Sequence, residues 1–100
     1  MTDTAIEVVD VPDLGRFEIH VDGTLAGFAQ YRIPDAEHVD FIHTEIDDAY
    51  AGQGLAGRLA TASLDQLRAE GRRAIPHCPF YAAFIKKHPE YEDITDWPAR

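Results

Sequence analysis

The apolar residues of this chain change their spacing once, close to Gly54, and that change constrains the fold more than any other feature. Before it, apolar and polar residues alternate in short runs, which is typical of β-strands buried on one face. After it, leucines and alanines recur every three to four residues, which is typical of an amphipathic helix. A chain of 100 residues has room for one hydrophobic core, so we expect a single domain over residues 1–100.

The alternating part predicts an antiparallel sheet. Arg16 to Val21 and Thr24 to Ile33 read as two strands, and the Asp22-Gly23 pair between them is typical of a hairpin turn. His38 to Ile46 predicts a third antiparallel strand after Pro34 and Asp35.

Simple alternation along the third strand places His43 and Glu45 on the face that also carries Val39 and Phe41. A weaker pattern from Ile6 to Val11 predicts an additional edge strand, for which the pairing partner stays open.

Helices and one more strand are predicted after the change of period. The first helix runs from Gly54 to Glu70, and Gly71 is a typical left-handed stop. Ala74 to Pro76 predicts a short strand, and Pro79 to His88 a second helix with Cys78 as its cap. This order predicts an α+β fold with a mainly antiparallel sheet, in which the strands flanking the first helix run parallel and a cleft opens where they diverge.

Charge and composition exclude several classes of protein. Nine Lys and Arg against eighteen Asp and Glu give a net charge of −9, which argues against a nucleic-acid-binding protein because phosphate neutralisation needs a basic face. We find no apolar run long enough to span a membrane and no signal peptide at the start, so we expect a cytoplasmic protein with no membrane partner. Cys78 is a single cysteine, and the histidines near it lack a recognisable metal-ligand spacing, so we expect no metal site.

The charges are unevenly distributed along the chain. Residues 1–48 hold twelve acids and two bases, whereas residues 49–88 hold two acids and six bases. The basic segment suits a compact anion such as a few phosphates, and the acidic segment favours a cationic partner. Alternatively, the uneven distribution of charge along the chain has no function.

The segment from Gly52 to Ala56 joins a predicted strand to a predicted helix and has the sequence Gly-Gln-Gly-Leu-Ala. Backbone amides at such a helix start can hold a diphosphate without any charged side chain, and Lys86, Lys87, Arg58 and Arg72 can add positive charge around it. The segment matches neither the P-loop nor the dinucleotide-binding pattern. A plain tight turn is the alternative.

These residues resemble the acyl-CoA pyrophosphate loop of the GCN5-related N-acetyltransferases, whose pattern is Arg or Gln, two residues, Gly, any residue, then Gly or Ala. The wider set resembles the smallest branch of that superfamily: His43-Thr44-Glu45 before the loop, and Cys78-Pro79-Phe80 and Lys86-Lys87-His88-Pro89-Glu90-Tyr91 after it. The resemblance covers about residues 14 to 94. Ala51 departs from it, standing where the loop usually begins with Arg or Gln.

The resemblance implies the acyl-CoA N-acyltransferase fold, with splayed central strands, two principal helices and acetyl-CoA in the gap. It implies that the pantetheine arm pairs with backbone near Thr44 and Ile46, and that the diphosphate lies on Gln53, Gly54, Leu55 and Ala56. So short a chain also lacks the helices that wall the acceptor site in longer relatives.

Acetyl transfer to an amine needs a group that takes the amine proton and an acid for the departing thiolate. Glu45 is the candidate base, because apolar Ile46 beside it favours the protonated carboxyl group. His43, two residues earlier on the same face, can relay the proton. A solvated carboxylate and a structural histidine are the alternatives.

Cys78 at the start of the second predicted helix, beside His77, is the candidate acid for the CoA sulfur or a transient acetyl carrier, with inert packing as the alternative. Tyr81 is the alternative proton donor. Longer relatives often place a tyrosine acid near the position of Phe84, which carries no hydroxyl.

We therefore expect an acetyl-CoA-dependent N-acetyltransferase that acts by direct transfer in a ternary complex, as a monomer or weak dimer. The accessible amine acceptor would be a lysine side chain, a protein N-terminus or a polyamine. A non-catalytic module that binds or senses acyl-CoA is the first alternative, and an interaction domain with a vestigial loop is the second.

Overall fold

A computed structural model describes residues 4–99 as one sheet with two α-helices. The strands are β1 (Ile6–Val11), β2 (Arg16–Val21), β3 (Thr24–Arg32), β4 (His38–Ile46) and β5 (Arg73–Pro76). The helices are α1 (Leu55–Ala69) and α2 (Pro79–Lys87), with short 3-10 helices at Pro12–Leu14, Asp48–Tyr50 and Pro89–Ile94. The bounds expected from the sequence agree with these to within one or two residues.

The five strands lie in the order β1-β2-β3-β4-β5. Each of the first three pairings is antiparallel, whereas β4 and β5 run parallel, with Val39 opposite Ala74. The crossover through α1 makes this parallel pairing possible. The predicted α+β fold is confirmed, and β1, whose partner was open, pairs with β2.

A β-bulge at Ile42 changes the direction of the side chains in β4. Gln30 pairs with His43 and Tyr31 with Phe41, so Ile42 has no partner of its own on β3. An extra residue reverses the alternation beyond it. The expectation that His43 shares a face of β4 with Phe41 is therefore wrong, and the two side chains lie on opposite faces.

The core lies between one face of the sheet and both helices. Phe17, Phe41, Leu59 and Leu64 are almost fully buried there, and burial of side chains of this size contributes about 1.5–3 kcal/mol each. Tyr81 joins the two helices to the sheet, because its ring stacks on that of Phe41 with centroids 4.1 Å apart and its hydroxyl lies 2.8 Å from a hydroxyl on α1. Neither helix covers the opposite face of the sheet, which we call the open face; it carries His20, Phe28, His43 and Glu45.

Strands β4 and β5 diverge after a short pairing. The last pair joins Phe41 to Pro76, and the Cys78 amide donates to the Phe41 carbonyl oxygen at 2.7 Å before the chain turns into α2. The rest of β4, from Ile42 to Ile46, has no neighbour from β5. The point where the two strands part, which we call the vertex, is the origin of a cleft between β4 and α2.

In the part of the chain that the structure describes, no helix is long and apolar enough to cross a membrane.

Candidate functional site

The turn before α1 presents a row of unused backbone donors. Gly52 and Gly54 have φ of 78° and 72°, a region that glycine enters without strain, and α1 has no side-chain cap. Arg58 is the first residue of α1 whose amide donates within the helix, to the Gly54 carbonyl oxygen. Within residues 4–99, the amides of residues 52–57 donate no hydrogen bond. These donors and the positive end of the helix dipole can bind an anion, and we call residues 52–57 the anion seat.

The free edge of β4 presents further backbone groups to the cleft. Asp47 donates to the Ala26 carbonyl oxygen on β3 at 2.7 Å. Because neighbouring residues of a strand point their backbone groups to opposite edges, those of Thr44 and Ile46 point to the edge that β5 leaves unpaired. An extended amide-containing chain can pair with this edge.

Four apolar side chains of the end of β4, the segment after it and α2 are only partly buried. Ile46, Tyr50, Phe80 and Phe84 are half-buried and pack against the core without being enclosed by it. The rings of Phe80 and Phe84 lie 6.1 Å apart on α2. Together they offer an apolar wall to a ligand that also pairs with β4.

A groove of about 640 Å³ adjoins the anion seat along α1. Gly54, Arg58, Phe84 and His88 are among its lining residues. Arg58, in the first turn of α1, is the basic residue that lines this groove and can add positive charge there.

The two lysines expected around the seat are placed differently. Lys86 extends towards the C-terminal tail, with Nζ 5.7 Å from the centre of the Trp97 ring, and its contact with the cofactor stays a prediction. Lys87 is exposed next to His88 and does not line the groove. Its contact with the cofactor stays a prediction.

Cys78 lies at the vertex. It precedes the first turn of α2 and is 3% exposed, and its Sγ is 3.3 Å from Oγ1 of Thr44. The bulge at Ile42 turns Thr44 towards the helices, which makes this contact possible. The free edge of β4 and the candidate thiol therefore meet at the vertex.

Tyr81 does not face the cleft. Its side chain is fully buried and its hydroxyl is bonded to Ser63 Oγ, which also donates to the Ala60 carbonyl oxygen. Burial raises the pKa of the Tyr81 hydroxyl far above its ordinary value, so proton release from it is disfavoured. The structure corrects its assignment as alternative proton donor: Tyr81 is a core residue.

His43 and Glu45 form an exposed pair on the open face. Their side chains are 55% and 60% exposed, and His43 Nε2 is 3.3 Å from Glu45 Oε2. Glu45 lines a shallow pocket together with Ile46 and Phe28, and its role as the base stays a prediction. The prediction that the two residues share a face agrees with the structure, since they pair with Gln30 and Phe28 of β3.

A second carboxylate–histidine pair, which the sequence reasoning missed, lies at the vertex. His77 Nδ1 is 2.6 Å from Oδ1 of Asp40, and Arg32 donates to Oδ2 of the same carboxylate at 2.8 Å. Asp40 is 4% exposed, although it lies on the face of β4 opposite to Phe41. The position of His77, directly after β5 and before Cys78, was the available signal. Within residues 4–99, no group of three His, Cys, Asp or Glu side chains is arranged to hold a metal ion.

Comparison with known sequences identifies the family. A family profile described as GCN5-related N-acetyl-transferase matches residues 16–94. Protein NATD1 of Bos taurus is 45% identical over 51 residues, which are 51% of this chain and 45% of that protein. Protein NATD1 of Xenopus tropicalis is 34% identical over 59 residues, 59% of this chain and 54% of that protein. The match thus spans about half the length of these relatives.

Comparison with solved structures supports the same fold. A GCN5-like protein from Staphylococcus aureus, solved in solution by NMR, superposes with a TM-score of 0.68 at 22% identity over 100% of this chain and 95% of that chain. Ard1 from Thermoplasma volcanium superposes with a TM-score of 0.50 at 17% identity over 58% of this chain and 39% of that chain. With its profile match and its splayed sheet, the chain belongs to the GCN5-related N-acetyltransferases and resembles their small members.

Proposed function

We propose that the protein transfers the acetyl group of acetyl-CoA to an accessible primary amine. The observation that carries this proposal is that the anion seat, which starts at Gly52, follows the free edge of β4 with only residues 47–51 between them. The two features match the two parts of a CoA molecule, a diphosphate and an amide-containing arm. Bound there, acetyl-CoA would supply an activated acyl group as a thioester.

The residues of this chain fit the parts of acetyl-CoA one by one. The amides of Gln53, Gly54, Leu55 and Ala56 would hold the diphosphate, and Arg58 would add positive charge. Backbone groups of Thr44 and Ile46 would pair with the pantetheine amides. The half-buried rings of Phe80 and Phe84 would exclude water from one side of the arm.

Cys78 is the candidate acid for the departing thiolate, because the cleft ends at the vertex where its Sγ lies beside the Thr44 hydroxyl. No covalent acyl intermediate on Cys78 is needed for direct transfer. A thiol that is 3% exposed is also poorly placed to pass an acetyl group on to an acceptor in solution.

The acceptor would approach from the open face. Neither helix covers this face, so a substrate as large as a protein side chain has access to the vertex from it. The carboxylate of Glu45 lies on this face, and Asp47 and Asp48 follow it in the chain. These charges favour a cationic acceptor, such as a lysine side chain, a protein N-terminus or a polyamine.

Thiol release tests the proposal. The purified protein is incubated with acetyl-CoA and a panel of a polyamine, a lysine peptide and a peptide with a free N-terminus, while free CoA thiol is measured. We expect amine-dependent release above the rate without enzyme, with formation of the acetylated amine by mass spectrometry. Release at the rate without enzyme for every amine would contradict transferase activity.

A non-catalytic acyl-CoA-binding module is the second candidate. It is favoured by the burial of Tyr81 and by the fact that neither α1 nor α2 covers the open face. Calorimetry with acetyl-CoA separates the candidates further. Binding without turnover supports the binding module. The absence of binding at millimolar acetyl-CoA contradicts both and leaves an interaction domain.

A further inference from the structure

His77 and Asp40 form a pair that the proposed reaction has not yet used. Of the Asp40 carboxylate, Oδ1 faces His77 Nδ1 at 2.6 Å and Oδ2 accepts from Arg32 at 2.8 Å. An ionised carboxylate only accepts hydrogen bonds, so Nδ1 of His77 carries the proton. The lone pair of the ring is then on Nε2.

The carboxylate is buried and the imidazole is accessible. The Asp40 side chain is 5% exposed and that of His77 is 47% exposed. Within residues 4–99, no group hydrogen bonds to Nε2 of His77. A buried carboxylate that orients a histidine and leaves its other nitrogen free towards solvent is an arrangement that suits proton abstraction.

The pair is located where the proposed transfer takes place. Asp40 is on the open face of β4, opposite Ile75 in the pairing with β5, and Ile42 begins the unpaired part of β4 two residues later. His77 precedes Cys78, the candidate acid, which faces the helix side of the sheet. The vertex therefore has a thiol on the cofactor side and an imidazole on the acceptor side.

Glu45, the candidate base expected from the sequence, has a less firmly oriented side chain. Glu45 is 60% exposed, and its described ion pair is with the equally exposed His43. An exposed pair of this kind is only weakly oriented. Asp40, by contrast, is fixed from two sides by Arg32 and His77.

We propose that Nε2 of His77, oriented by Asp40, accepts the proton of the attacking amine, so that His77 is the catalytic base and Asp40 a positioning residue. This inference rests on the proposed transferase function. The amine nitrogen forms a C–N bond to the acetyl carbonyl carbon, and the C–S bond breaks with its electron pair on sulfur. The amine proton goes to His77 Nε2, the thiolate takes a proton from Cys78, and solvent restores both groups.

The test compares four variants in the thiol-release assay with the best amine of the panel. For His77→Gln we expect a loss of roughly 100-fold in kcat, within the range for general bases, with acetyl-CoA affinity by calorimetry unchanged. Asp40→Asn is expected to lower kcat less, without changing the KM for acetyl-CoA. The control is His20→Gln. His20 also pairs with a carboxylate on the open face, with Nε2 2.9 Å from Oε1 of Glu18, but it lies on β2, away from the vertex.

Two readouts distinguish a base from a structural residue. The acidic limb of the pH profile of kcat/KM should disappear in His77→Gln but persist in His20→Gln. Added imidazole should restore part of the activity of His77→Ala. Amine-dependent turnover that survives His77→Gln at the level of His20→Gln, with the same pH profile, overturns this inference alone. A wild-type protein without turnover on any amine overturns the proposed transferase function and this inference with it.

Discussion

Gly54 combines a backbone conformation and a position that few residue types allow. Its φ is +72°, and no atom lies within 4 Å of the place where a Cβ would be. A side chain there would be strained by the backbone and would project into the space in front of the unused amides. The residue is therefore the most direct point at which to test the anion seat.

Replacement of Gly54 by Val is expected to weaken acetyl-CoA binding by at least about tenfold, since the added side chain would occupy the approach of the diphosphate. Gly71→Val is the matched control, because Gly71 has φ of +69° and equally open surroundings at the other end of α1. Urea denaturation should show a similar loss of stability for both variants, about 1–2 kcal/mol. Equal acetyl-CoA affinities of the two variants in calorimetry would show that the diphosphate binds elsewhere.

At the scale of elements, α2 contributes to the core and to the cleft with different residues. Tyr81 and Ile85 point into the core, whereas Phe80 and Phe84 are half-buried beside the cleft. Cys78 at the start of the helix belongs to the cleft through its contact with Thr44. The same helix thus carries Cys78 at the vertex, whose role as an acid stays a prediction, and Tyr81, which lies in the core.

A pair of substitutions in α2 tests this division. Tyr81→Phe removes a hydroxyl that is hydrogen-bonded to Ser63. We expect the free energy of unfolding to fall by only about 1 kcal/mol, because Ser63 still donates to the Ala60 carbonyl oxygen. Turnover should not change, because Tyr81 does not face the cleft. Cys78→Ala is expected to lower turnover at least about tenfold, the lower part of the range for general acid catalysis, while acetyl-CoA still binds. The reverse result, with activity lost in Tyr81→Phe and kept in Cys78→Ala, would restore the tyrosine as proton donor.

At the scale of the molecule, an ion-pair network holds the C-terminal segment against β5. Asp96 accepts from Arg73 and from His38, and its amide donates to the Ala74 carbonyl oxygen. The hydrogen bond from Arg73, and then that from His38, lowers the pKa of Asp96 to about 2. Hydrogen bonds to Asp35 and Asp96 raise the pKa of His38 above its ordinary value of 6.5.

These shifts predict a pH-dependent difference between the wild type and Asp96→Asn. The lowered pKa of Asp96 adds stability that is complete above pH 3.8 and lost as pH falls towards about 2. The raised pKa of His38 adds stability that is complete below pH 6.5 and lost as pH rises through its folded value. The difference should therefore be largest near pH 5, at about 1 kcal/mol or less because the groups are partly exposed.

Urea denaturation from pH 2 to pH 9 measures this difference. Asp13→Asn is the control, since Asp13 is exposed and its side chain has no described hydrogen bond. A difference for Asp96→Asn that stays constant over the whole range, as expected for the control, would show that the network does not contribute.

The sequence by itself determined the elements, their order and the glycine-containing turn before α1. Alternation from Arg16, the change of period at Gly54 and the prolines and glycines at the ends of elements are local features, and local geometry follows from them. The resemblance of Gly52 to Ala56 to a pyrophosphate loop also needed no contact between distant residues, and the family it implies is the one the profile match shows.

Only the tertiary structure decided which side chains meet. The bulge at Ile42 exists because β3 and β4 pair in a particular register, and it reverses the faces of His43 and Thr44. Asp40 and His77 lie 37 residues apart and come together because the crossover through α1 places β5 beside β4. Such contacts depend on strand pairing and helix packing between distant segments, and no local pattern of residues encodes them.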